Sequence, residues 1–299
     1  MKNKILTVSE NDLPLIFPKL PDIANKGSMG RVLCICGSYD GHGLSMCGAA
    51  YFAAMAAYRC GAGIVEIFTP RKNYEALASL VPEAVFSLYE YEEDADAVCQ
   101  RLAESMSKAS SVVLGCGLGK SSMAKALVKC ALKNVKCPLL IDADGLNVIS
   151  ENTELLNCLD EKQRKQTVIT PHPGEMMRLC KKSIGEILEN ITVTAREISQ
   201  KLGVICLLKD HNTVITDGEI VYINQSGNPG MATAGMGDVL AGIISAILAR
   251  VKANDDMLFA VSAGAYLHGL AGDKAAEISG QYSLVASDVL QQISRSVPR

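Results

Sequence analysis

Six short apolar runs separated by helix-length segments constrain the fold of this 299-residue chain more than any other feature. Each run is rich in β-branched residues and lacks polar alternation, which is typical of strands buried on both faces of a sheet. Strands that alternate with helices indicate a parallel sheet, because a helical crossover returns the chain to the same edge. We therefore predict an α/β domain with helices on both faces. The six runs are residues 31–36, 64–69, 111–114, 138–142, 167–170 and 204–209.

The segments between and after these runs predict helices, with one exception. Residues 212–223 contain two alternating runs on either side of Asp217-Gly218, which is a strong hairpin signal. That hairpin would extend the otherwise parallel sheet in antiparallel fashion. The predicted helices are residues 45–60, 94–107, 121–132, 184–202, 237–249, 257–277 and 287–295.

Composition narrows the class of protein. The chain is 48% hydrophobic and 20% charged with a formal net charge of −3, and it has neither a basic run nor a low-complexity linker or repeat. This profile predicts one globular domain over residues 1–299 that binds a small partner instead of nucleic acid. The longest apolar stretch, residues 239–248, is too short to span a bilayer, and the N-terminus lacks a signal-peptide apolar region. We expect a cytoplasmic protein without a membrane partner.

The eleven cysteines are scattered, odd in number and mostly placed in apolar runs. No C-x-x-C pair occurs, and Cys34 and Cys36 should point to the same face of one strand. The cysteines therefore resemble small core residues, and the four isolated histidines add no ligand pattern. We predict no metal site formed by protein ligands alone.

Glycine and polar clusters follow five of the six runs. Ligands of open parallel sheets gather at the carboxyl ends of the strands, so the five clusters predict one large site at that edge. Each cluster alone is a weak signal, because loops between strands and helices are rich in glycine anyway. The clusters are residues 37–38, 115–119, 142–147, 170–175 and 209–213.

Residues 224–250, NQSGNPGMATAGMGDVLAGIISAILAR, join a glycine-rich loop to an apolar helix. Free N–H groups at the start of a helix form a cradle for phosphate, and Gly235 and Gly237 allow close approach. Asp238 at this junction fits two roles. It is either a residue that favours the helix N-terminus or a general base that takes a proton from an attacking hydroxyl.

The segment GCGLGKSS at 115–122 has neither the spacing of a P-loop nor that of a dinucleotide fingerprint. Gly117 is either a simple turn glycine or a point where the backbone approaches a ligand. In TPHPGE, two prolines hold His172 rigidly at a strand end, which favours ligand contact over a merely exposed histidine. Glu175 in the same segment is interpreted as an early-helix carboxylate without a chemical role.

In two further clusters, the residues alone are compatible with more than one role. Asp142 and Asp144 would hold magnesium through water, bind ribose hydroxyls or serve as turn and capping residues. Lys209 leaves a buried strand just before the hairpin, where it would contact a nucleotide or extend into solvent.

Taken in order, six segments across most of the chain resemble the ADP- or ATP-dependent NAD(P)H-hydrate dehydratases of the ribokinase-like superfamily. The resemblance implies a three-layer α/β/α fold with a mostly parallel central sheet. It also implies removal of water from the S epimer of hydrated NADH or NADPH, with Mg²⁺ and with ADP or ATP as co-substrate. The six segments are GSYDGHGLSMCGAAYFAAMAAYRCGAG, GCGLGKS, IDADGLN, TPHPGE, LLKDHNT and SGNPGMATAGMGD.

The resemblance also assigns residues. The substrate-binding residues would be Ala49 (or its neighbour Ala50), Gly117, His172 and Asp238, with Asp238 also catalytic. The adenine nucleotide would contact Lys209, Asp210, His211, Asn212, Thr213 and Gly237. One position departs from the family, which usually has glycine where this chain has Asp210, and an acid near phosphate is unfavourable unless it points away.

The family also suggests how the chain works with other proteins. Residues 1–25 would be an N-terminal extension, and the chain is too short for the fused epimerase domain of many bacterial relatives. A separate epimerase would then supply the S epimer, and relatives suggest a homo-oligomer such as a tetramer. The reaction would be phosphorylation of the substrate hydroxyl followed by elimination. A ribokinase-like kinase for a small alcohol or vitamin precursor and a nucleotide-sensing module without catalysis are the alternatives.

Overall fold

The computed structural model describes residues 5–40, 43–251 and 256–298. The described strands form a single ten-stranded sheet in the order β1-β10-β9-β8-β7-β6-β5-β2-β3-β4. All neighbouring pairs are parallel except β10–β9 and β9–β8, which are antiparallel. The strands are β1 (Ile5–Leu6), β2 (Arg31–Ile35), β3 (Ile64–Pro70), β4 (Val85–Tyr89), β5 (Ser111–Leu114), β6 (Leu139–Ile141), β7 (Thr167–Ile169), β8 (Ile205–Leu208), β9 (Thr213–Thr216) and β10 (Val221–Asn224).

Helices cover both faces of the sheet, because the strands bury their side chains alternately on each side. Val32 and Cys34 of β2 contribute to one core, and Leu33 and Ile35 to the other. Helices α2, α3, α11, α12 and α13 pack on the first core, and α4–α6, α8, α9 and α10 on the second. The described helices are α1 (Leu13–Ile16), α2 (Cys47–Arg59), α3 (Tyr74–Leu80), α4 (Ala95–Met106), α5 (Ser122–Asn134), α6 (Ala143–Glu151), α7 (Glu161–Lys165), α8 (Pro173–Cys180), α9 (Ile184–Glu189), α10 (Ile191–Leu202), α11 (Met236–Leu248), α12 (Met257–Ser279) and α13 (Ala286–Ser296).

The register of the parallel strands places their carboxyl ends at one level. Ile35 is aligned with Leu114, Leu114 with Ile141, and Ile141 with Ile169. The residues that follow these four therefore lie at the same edge of the sheet. They are Cys36, Gly115, Asp142 and Thr170.

Helix α11 is the most deeply buried helix at this edge, with all residues from Val239 to Leu248 buried. It packs closely on α2, because Gly242 lies against the backbone carbonyl of Ala53 and leaves no room for a side chain. Small residues on both helices allow this approach, since α2 buries six alanines. The two helices thus hold the loops that precede them in fixed relation.

The predicted fold class is confirmed: the sheet is mostly parallel, helices form a layer on each side, and the 212–223 hairpin adds antiparallel strands. Cys34 and Cys36 face the same core as predicted, and the described cysteines are all free thiols. No described helix is both long and apolar enough to cross a membrane. Residues 1–4, 41–42, 252–255 and 299 lie outside the described part, including Gly41-His42 of the first family-like segment.

Several element predictions are wrong. The single helix predicted over 184–202 is divided at Asn190, whose backbone (φ −133°, ψ 45°) is not helical. Asn competes with helical bonds through its own side chain, which favours a break at such a position. Helix α6 was not among the predicted helices, although it begins directly after Asp142, at a position where a capping role was one of the alternatives left open. Strand β4 at the sheet edge was not predicted, whereas the interpretation of Glu175 as an early-helix carboxylate is confirmed by helix α8.

Candidate active site

The glycine-rich loop before α11 reaches the carboxyl edge of the sheet through a glycine in the left-handed conformation. Gly235 has φ +88°, and a Cβ placed there would lie 2.8 Å from the Phe52 ring and 2.9 Å from Ala286 Cβ. Only glycine fits both the dihedral and the space. The first N–H groups of α11 follow immediately, without a side-chain cap at Gly235. They are donors available to an anion.

Asp238 lies in the first turn of α11, with its carboxyl largely enclosed. Burial, with the nearby carboxylate of Asp142 as a second cause, raises its pKa to about 6. The thiol of Cys116 and the ammonium of Lys209 act in the opposite direction. A carboxyl group with this pKa is ionised at neutral pH yet binds a proton readily, as a general base must.

Asp142 and Lys209 form a buried ion pair beside the start of α11. Lys209 Nζ donates to Asp142 Oδ1 at 2.7 Å, and the Asp142 side chain is 3% exposed. Burial opposes the charge of Lys209, but Asp142 and Glu175 outweigh it, so the lysine pKa is raised. Both partners approach Gly237: a Cβ placed there would be 3.4 Å from Asp142 Oδ2 and 3.5 Å from Lys209 Nζ. The cation thus lies next to the N–H donors.

The backbone is also strained directly after Asp142. Ala143, directly after Asp142, has φ +48°, which is uncommon for a residue with a side chain. The turn is held by bonds from Asp144 N–H to the Gly115 carbonyl and from Gly119 N–H to Asp144 Oδ2, at 3.2 and 2.8 Å. Asp144 therefore orients the 115–119 loop instead of pointing freely into the site.

The structure brings Ala49 and Gly117 together. Gly117 has φ +59°, and a Cβ placed there would lie 2.7 Å from Ala49 Cβ and 2.9 Å from Met46 Cβ. The loop after β5 therefore packs directly on the N-terminal turn of α2. Ala50, the alternative to Ala49, is completely buried and faces the core. Of the two alanines, Ala49 is the one that lies beside Gly117.

His172 caps helix α8. Its Nδ1 accepts a hydrogen bond from Gly174 N–H at 3.0 Å, while Glu175 Oε2 accepts from His172 N–H at 2.9 Å. Burial and the nearby Lys209 lower the pKa of His172, so the ring is neutral at neutral pH. With Nδ1 as acceptor the proton is on Nε2, which lies 3.4 Å from Glu175 Oε1 in the half-exposed ring.

Glu175 was excluded from the chemistry on the sequence, yet it is 5% exposed and electrostatically linked to the ion pair. Burial raises its pKa, whereas Lys209 lowers it. The carboxyl caps α8 and adds a second negative group near the lysine. From this position Glu175 contacts His172 through a hydrogen bond and Lys209 through charge attraction.

The residues predicted to hold nucleotide after Lys209 form the turn between β8 and β9. Thr213 Oγ1 donates to the Asp210 carbonyl at 3.0 Å, and Asp210 Oδ2 lies 3.0 Å from His211 Nδ1. The Asp210 carboxylate is therefore engaged with its exposed neighbour. His211 and Asn212 are exposed at the tip of this turn.

Sequence reasoning missed the face of α12 that holds the glycine-rich loop. Asp273 accepts hydrogen bonds from Gly227 N–H and Asn228 Nδ2, both at 2.9 Å. Gly269, one turn earlier, lies against the backbone of Ser226 with no space for a side chain. The sequence does carry a signal for this face. Gly269 and Asp273 are four residues apart, so they lie on the same side of an otherwise apolar helix.

His268 on the same helix is a second residue that the sequence analysis missed. Its Nε2 is buried without a hydrogen-bond partner, and burial together with Lys209 lowers its pKa to about 4. A bond to the Met236 backbone acts in the opposite direction. The neutral ring therefore packs under the first residue of α11 and supports the cradle.

The donor set suits a magnesium ion carried by a nucleotide. Among the described residues, no cluster of three or more His, Cys, Asp or Glu side chains could form a metal site by itself. Mg²⁺, however, is usually held by one or two carboxylates together with substrate phosphates and water. Asp142 and Asp238 fit that arrangement, since the Asp142 carboxylate is close enough to raise the pKa of Asp238.

The sheet order, the glycine-rich loop at the start of α11 and the aspartate in its first turn define a ribokinase-like α/β protein. A ribokinase-like superfamily protein from Enterococcus faecalis has the same architecture, with a TM-score of 0.84, 26% identity, and coverage of 99% of this chain and 96% of that one. The family model for NAD(P)H-hydrate dehydratase matches residues 32–295. The chain belongs to that family.

Curated relatives agree with this assignment. An ADP-dependent (S)-NAD(P)H-hydrate dehydratase from Neisseria meningitidis is 32% identical over 89% of this chain and 84% of its own length. A bifunctional NAD(P)H-hydrate repair enzyme from Coxiella burnetii is 35% identical over 93% of this chain and 53% of its own length. The chain thus spans about half the length of the bifunctional relatives that it matches.

A crystal structure from Bacillus subtilis shares the fold. It is an ADP/ATP-dependent NAD(P)H-hydrate dehydratase co-crystallised with ATP and Mg²⁺, with a TM-score of 0.80, 24% identity and coverage of 98% of both chains.

Proposed function

We propose that this chain repairs hydrated NADH and NADPH, removing water from the S epimer at the expense of ADP or ATP. The observation that carries this proposal is the Asp238 carboxyl, with its pKa of about 6, placed beside the free N–H groups of α11 and the Asp142–Lys209 pair. Such a site combines a base, an anion cradle and a fixed cation, which are what phosphoryl transfer to a hydroxyl needs. Family membership supplies the substrate class.

The first step forms a phosphate ester. The substrate hydroxyl attacks the terminal phosphorus of the nucleotide, its proton goes to Asp238, and the bond to the leaving nucleotide breaks to release AMP or ADP. N–H groups of residues 235–238 and Lys209 would stabilise the charge on the transferred group. Magnesium bound with the nucleotide near Asp142 and Asp238 would screen the phosphate charge.

The second step eliminates the ester. The lone pair of the ring nitrogen expels phosphate from the neighbouring carbon, and loss of a proton from the next ring carbon restores the dihydronicotinamide. Hydroxide leaves poorly from this carbon, whereas phosphate leaves readily. Phosphorylation therefore explains why a dehydration consumes a nucleotide.

The remaining residues divide between the two ligands. Ala49 and Gly117, which lie against each other, and the half-exposed ring of His172 would contact the hydrated nicotinamide nucleotide. The turn of Lys209, Asp210, His211, Asn212 and Thr213, together with Gly237, would hold the adenine nucleotide. Because Asp210 is engaged with His211, its acid would be directed away from phosphate.

The proposal also includes a partner enzyme and an oligomeric state. A separate epimerase would convert the R epimer to the S epimer, and the chain would act as a homo-oligomer. A cytoplasmic location and a single domain with residues 1–25 as an extension remain predictions from the sequence.

A single assay tests the reaction. Hydrated NADPH with Mg²⁺ is incubated with either ADP or ATP, and the absorbance of reduced nicotinamide is followed together with nucleotide consumption. We expect reduced cofactor to form from the S epimer in proportion to nucleotide consumed, while the R epimer and a sample without nucleotide serve as controls. A stable phosphorylated alcohol without recovery of absorbance would assign a kinase, and nucleotide binding without turnover would assign a sensor.

A further inference from the structure

The start of α2 is tied to the segment before α3 by a chain of side-chain hydrogen bonds. Ser45 Oγ accepts from Cys47 N–H at 3.3 Å and donates to Asn73 Oδ1 at 3.0 Å. Asn73 Nδ2 donates in turn to Thr69 Oγ1 at 3.0 Å, near the end of β3. The chain of bonds therefore runs from the first turn of α2 into the sheet.

Asn73 is the buried centre of this chain of bonds. The residue is 1% exposed, Thr69 is completely buried, and Ser45 is exposed. The oxygen and the nitrogen of the Asn73 amide each form a hydrogen bond. Burying an amide is costly unless its polar atoms are paired, so these two bonds restrict the orientation of the side chain. Asn73 thus gives Ser45 an acceptor at a fixed position.

Asn73 also packs against the loop that follows β2. A Cβ placed at Gly37 would lie 3.0 Å from both Asn73 Nδ2 and Thr69 Oγ1, and φ at Gly37 is +78°. Only glycine allows this approach. Gly37 N–H donates to the Cys116 carbonyl at 2.9 Å, within the loop that follows β5. The Asn73 amide is therefore in contact with one loop of the candidate site and bonded to the residue that precedes another.

The first turn of α2 forms one wall of the candidate site. Ala49 and Met46 both lie against Gly117, as the space around that glycine shows. Ala49 N–H donates to the Met46 carbonyl at 3.2 Å, so the two residues are held together. Ser45 directly precedes Met46. A displacement of Ser45 would therefore move both side chains relative to Gly117.

We propose that Asn73 is a positioning residue for the side of the site that takes the hydrated nicotinamide nucleotide. Through Ser45 it fixes the first turn of α2, and with it the surface that Ala49 and Gly117 present. The inference rests on the proposed function, which assigns those two residues to the hydrated cofactor. Asn73 is too buried to contact a ligand itself, and it lies outside the six segments that resemble the family.

The test measures two Michaelis constants with Mg²⁺ present, one for the S epimer of hydrated NADPH and one for the nucleotide. In Asn73→Ala, KM for hydrated NADPH should rise about tenfold, because the substrate must then order the turn by itself. KM for nucleotide should not change. Ser45→Ala should behave alike, and it should fold even if Asn73→Ala does not, since Ser45 is exposed. Ser45→Thr keeps the hydroxyl and should restore KM.

Gln163→Ala is the matched control for loss of a buried amide. Gln163 is 8% exposed, and its Nε2 donates to the Cys137 carbonyl at 2.7 Å, at the opposite edge of the sheet. This variant should lower the free energy of unfolding without changing either KM. Hydrogen exchange of the backbone of residues 47–50 is a second readout. Exchange should accelerate in Asn73→Ala and Ser45→Ala but not in Gln163→Ala.

Three results would overturn the inference. The first is an unchanged KM for hydrated NADPH in Asn73→Ala, or in Ser45→Ala if the first variant does not fold, even where exchange accelerates. The second is an equal rise in KM for nucleotide, which would mean that the whole site is disturbed. The third is a Ser45→Thr variant as impaired as Ser45→Ala. Absence of turnover by the unmodified protein would instead contradict the proposed function, and the inference would fail with it.

Discussion

The two ends of helix α11 carry opposite charges, and each pKa shifts against what the helix dipole would favour. The dipole stabilises an anion at the N-terminus and a cation at the C-terminus. Nevertheless, the pKa of Asp238 in the first turn is raised to about 6, and burial lowers the pKa of Arg250 just beyond the last turn. Burial therefore outweighs the dipole at both ends.

The ends differ in what surrounds the charge. Asp238 faces other ionisable groups, Asp142 and Lys209, which modulate its proton affinity. Arg250 faces an aromatic ring and a backbone carbonyl, which leave its charge unchanged and one donor unused. The first environment is suited to moving a proton, whereas the second holds a cation in place within the fold. The predictions below test this distinction.

The largest effect is expected at the N-terminal end, from Asp238→Asn. Loss of the general base should lower turnover by about 10²- to 10⁴-fold, while the fold is kept because asparagine has nearly the same shape. Turnover of hydrated NADPH with Mg²⁺ and nucleotide is the measurement. Asp94→Asn, the same change at the cap of α4, should leave activity intact because asparagine also caps. Near-normal turnover by Asp238→Asn would contradict the assigned role.

The pH dependence follows from the raised pKa of Asp238. Below about pH 6 the base becomes protonated, so kcat should fall about tenfold for each further pH unit. Stability has the opposite sign: the native carboxyl holds its proton more tightly than the unfolded one, whose pKa is near 3.8. The free energy of unfolding should therefore fall as pH rises from about 4 to 6.

Denaturation across this pH window, compared between the unmodified protein and Asp238→Asn, isolates the contribution of Asp238. In the variant, the free energy of unfolding should not show the part of the decrease that Asp238 causes. Parallel curves would show that Asp238 is not the group with the raised pKa.

A smaller effect is expected from the contact that fixes the glycine-rich loop. Asp273→Ala removes the acceptor of Gly227 N–H and Asn228 Nδ2, which should cost about 1–3 kcal/mol of stability. The loosened loop should also raise the KM for nucleotide. Asp160→Ala removes a comparable bond, to Gln163 N–H at the start of α7, and should destabilise without changing KM. Equal KM values in the two variants would exclude a positioning role for Asp273.

The smallest effect is expected in the middle of α11, between the two charged ends. Ser111 Oγ donates to the Ser245 carbonyl at 2.7 Å. Ser111→Ala should lower the free energy of unfolding by about 1 kcal/mol and leave kcat and KM unchanged. Ser262→Ala, which removes a bond within α12, is the matched control and should change less. A loss of activity in Ser111→Ala would mean that the ends of α11 are coupled through its centre.

Much of the fold could be predicted because it depends on local patterns. The 31–36 and 111–114 runs are almost entirely apolar after their first residue, which is typical of a strand covered on both faces. The hairpin at Asp217-Gly218 follows from turn chemistry alone. Asn190 and strand β4 were missed because an isolated break and an edge strand of mixed polarity depend on their neighbours, which periodicity does not record.

The candidate site was predictable to the extent that strand ends and helix starts carry their own signals. Gly235, Gly237 and Asp238 lie within four residues of the chain, so their combination was visible directly. The pairing of Lys209 with Asp142 spans 67 residues, and the bonds from Asp273 to the loop span 45 and 46. A local sequence pattern cannot identify contacts between residues that are this far apart in the chain.

The sequence by itself determined the α/β class, and it predicted the edge of the sheet where the candidate site lies, with Asp238 as its central acid. These conclusions rest on periodicity, turn chemistry and backbone freedom, which are properties of neighbouring residues. Only the tertiary structure decided the pKa of Asp238, the partner of Lys209, the support from α12 and the unpaired donor of Arg250. Those depend on burial and on charges from distant segments, because electrostatic free energies are set by the surroundings in space and not by order along the chain.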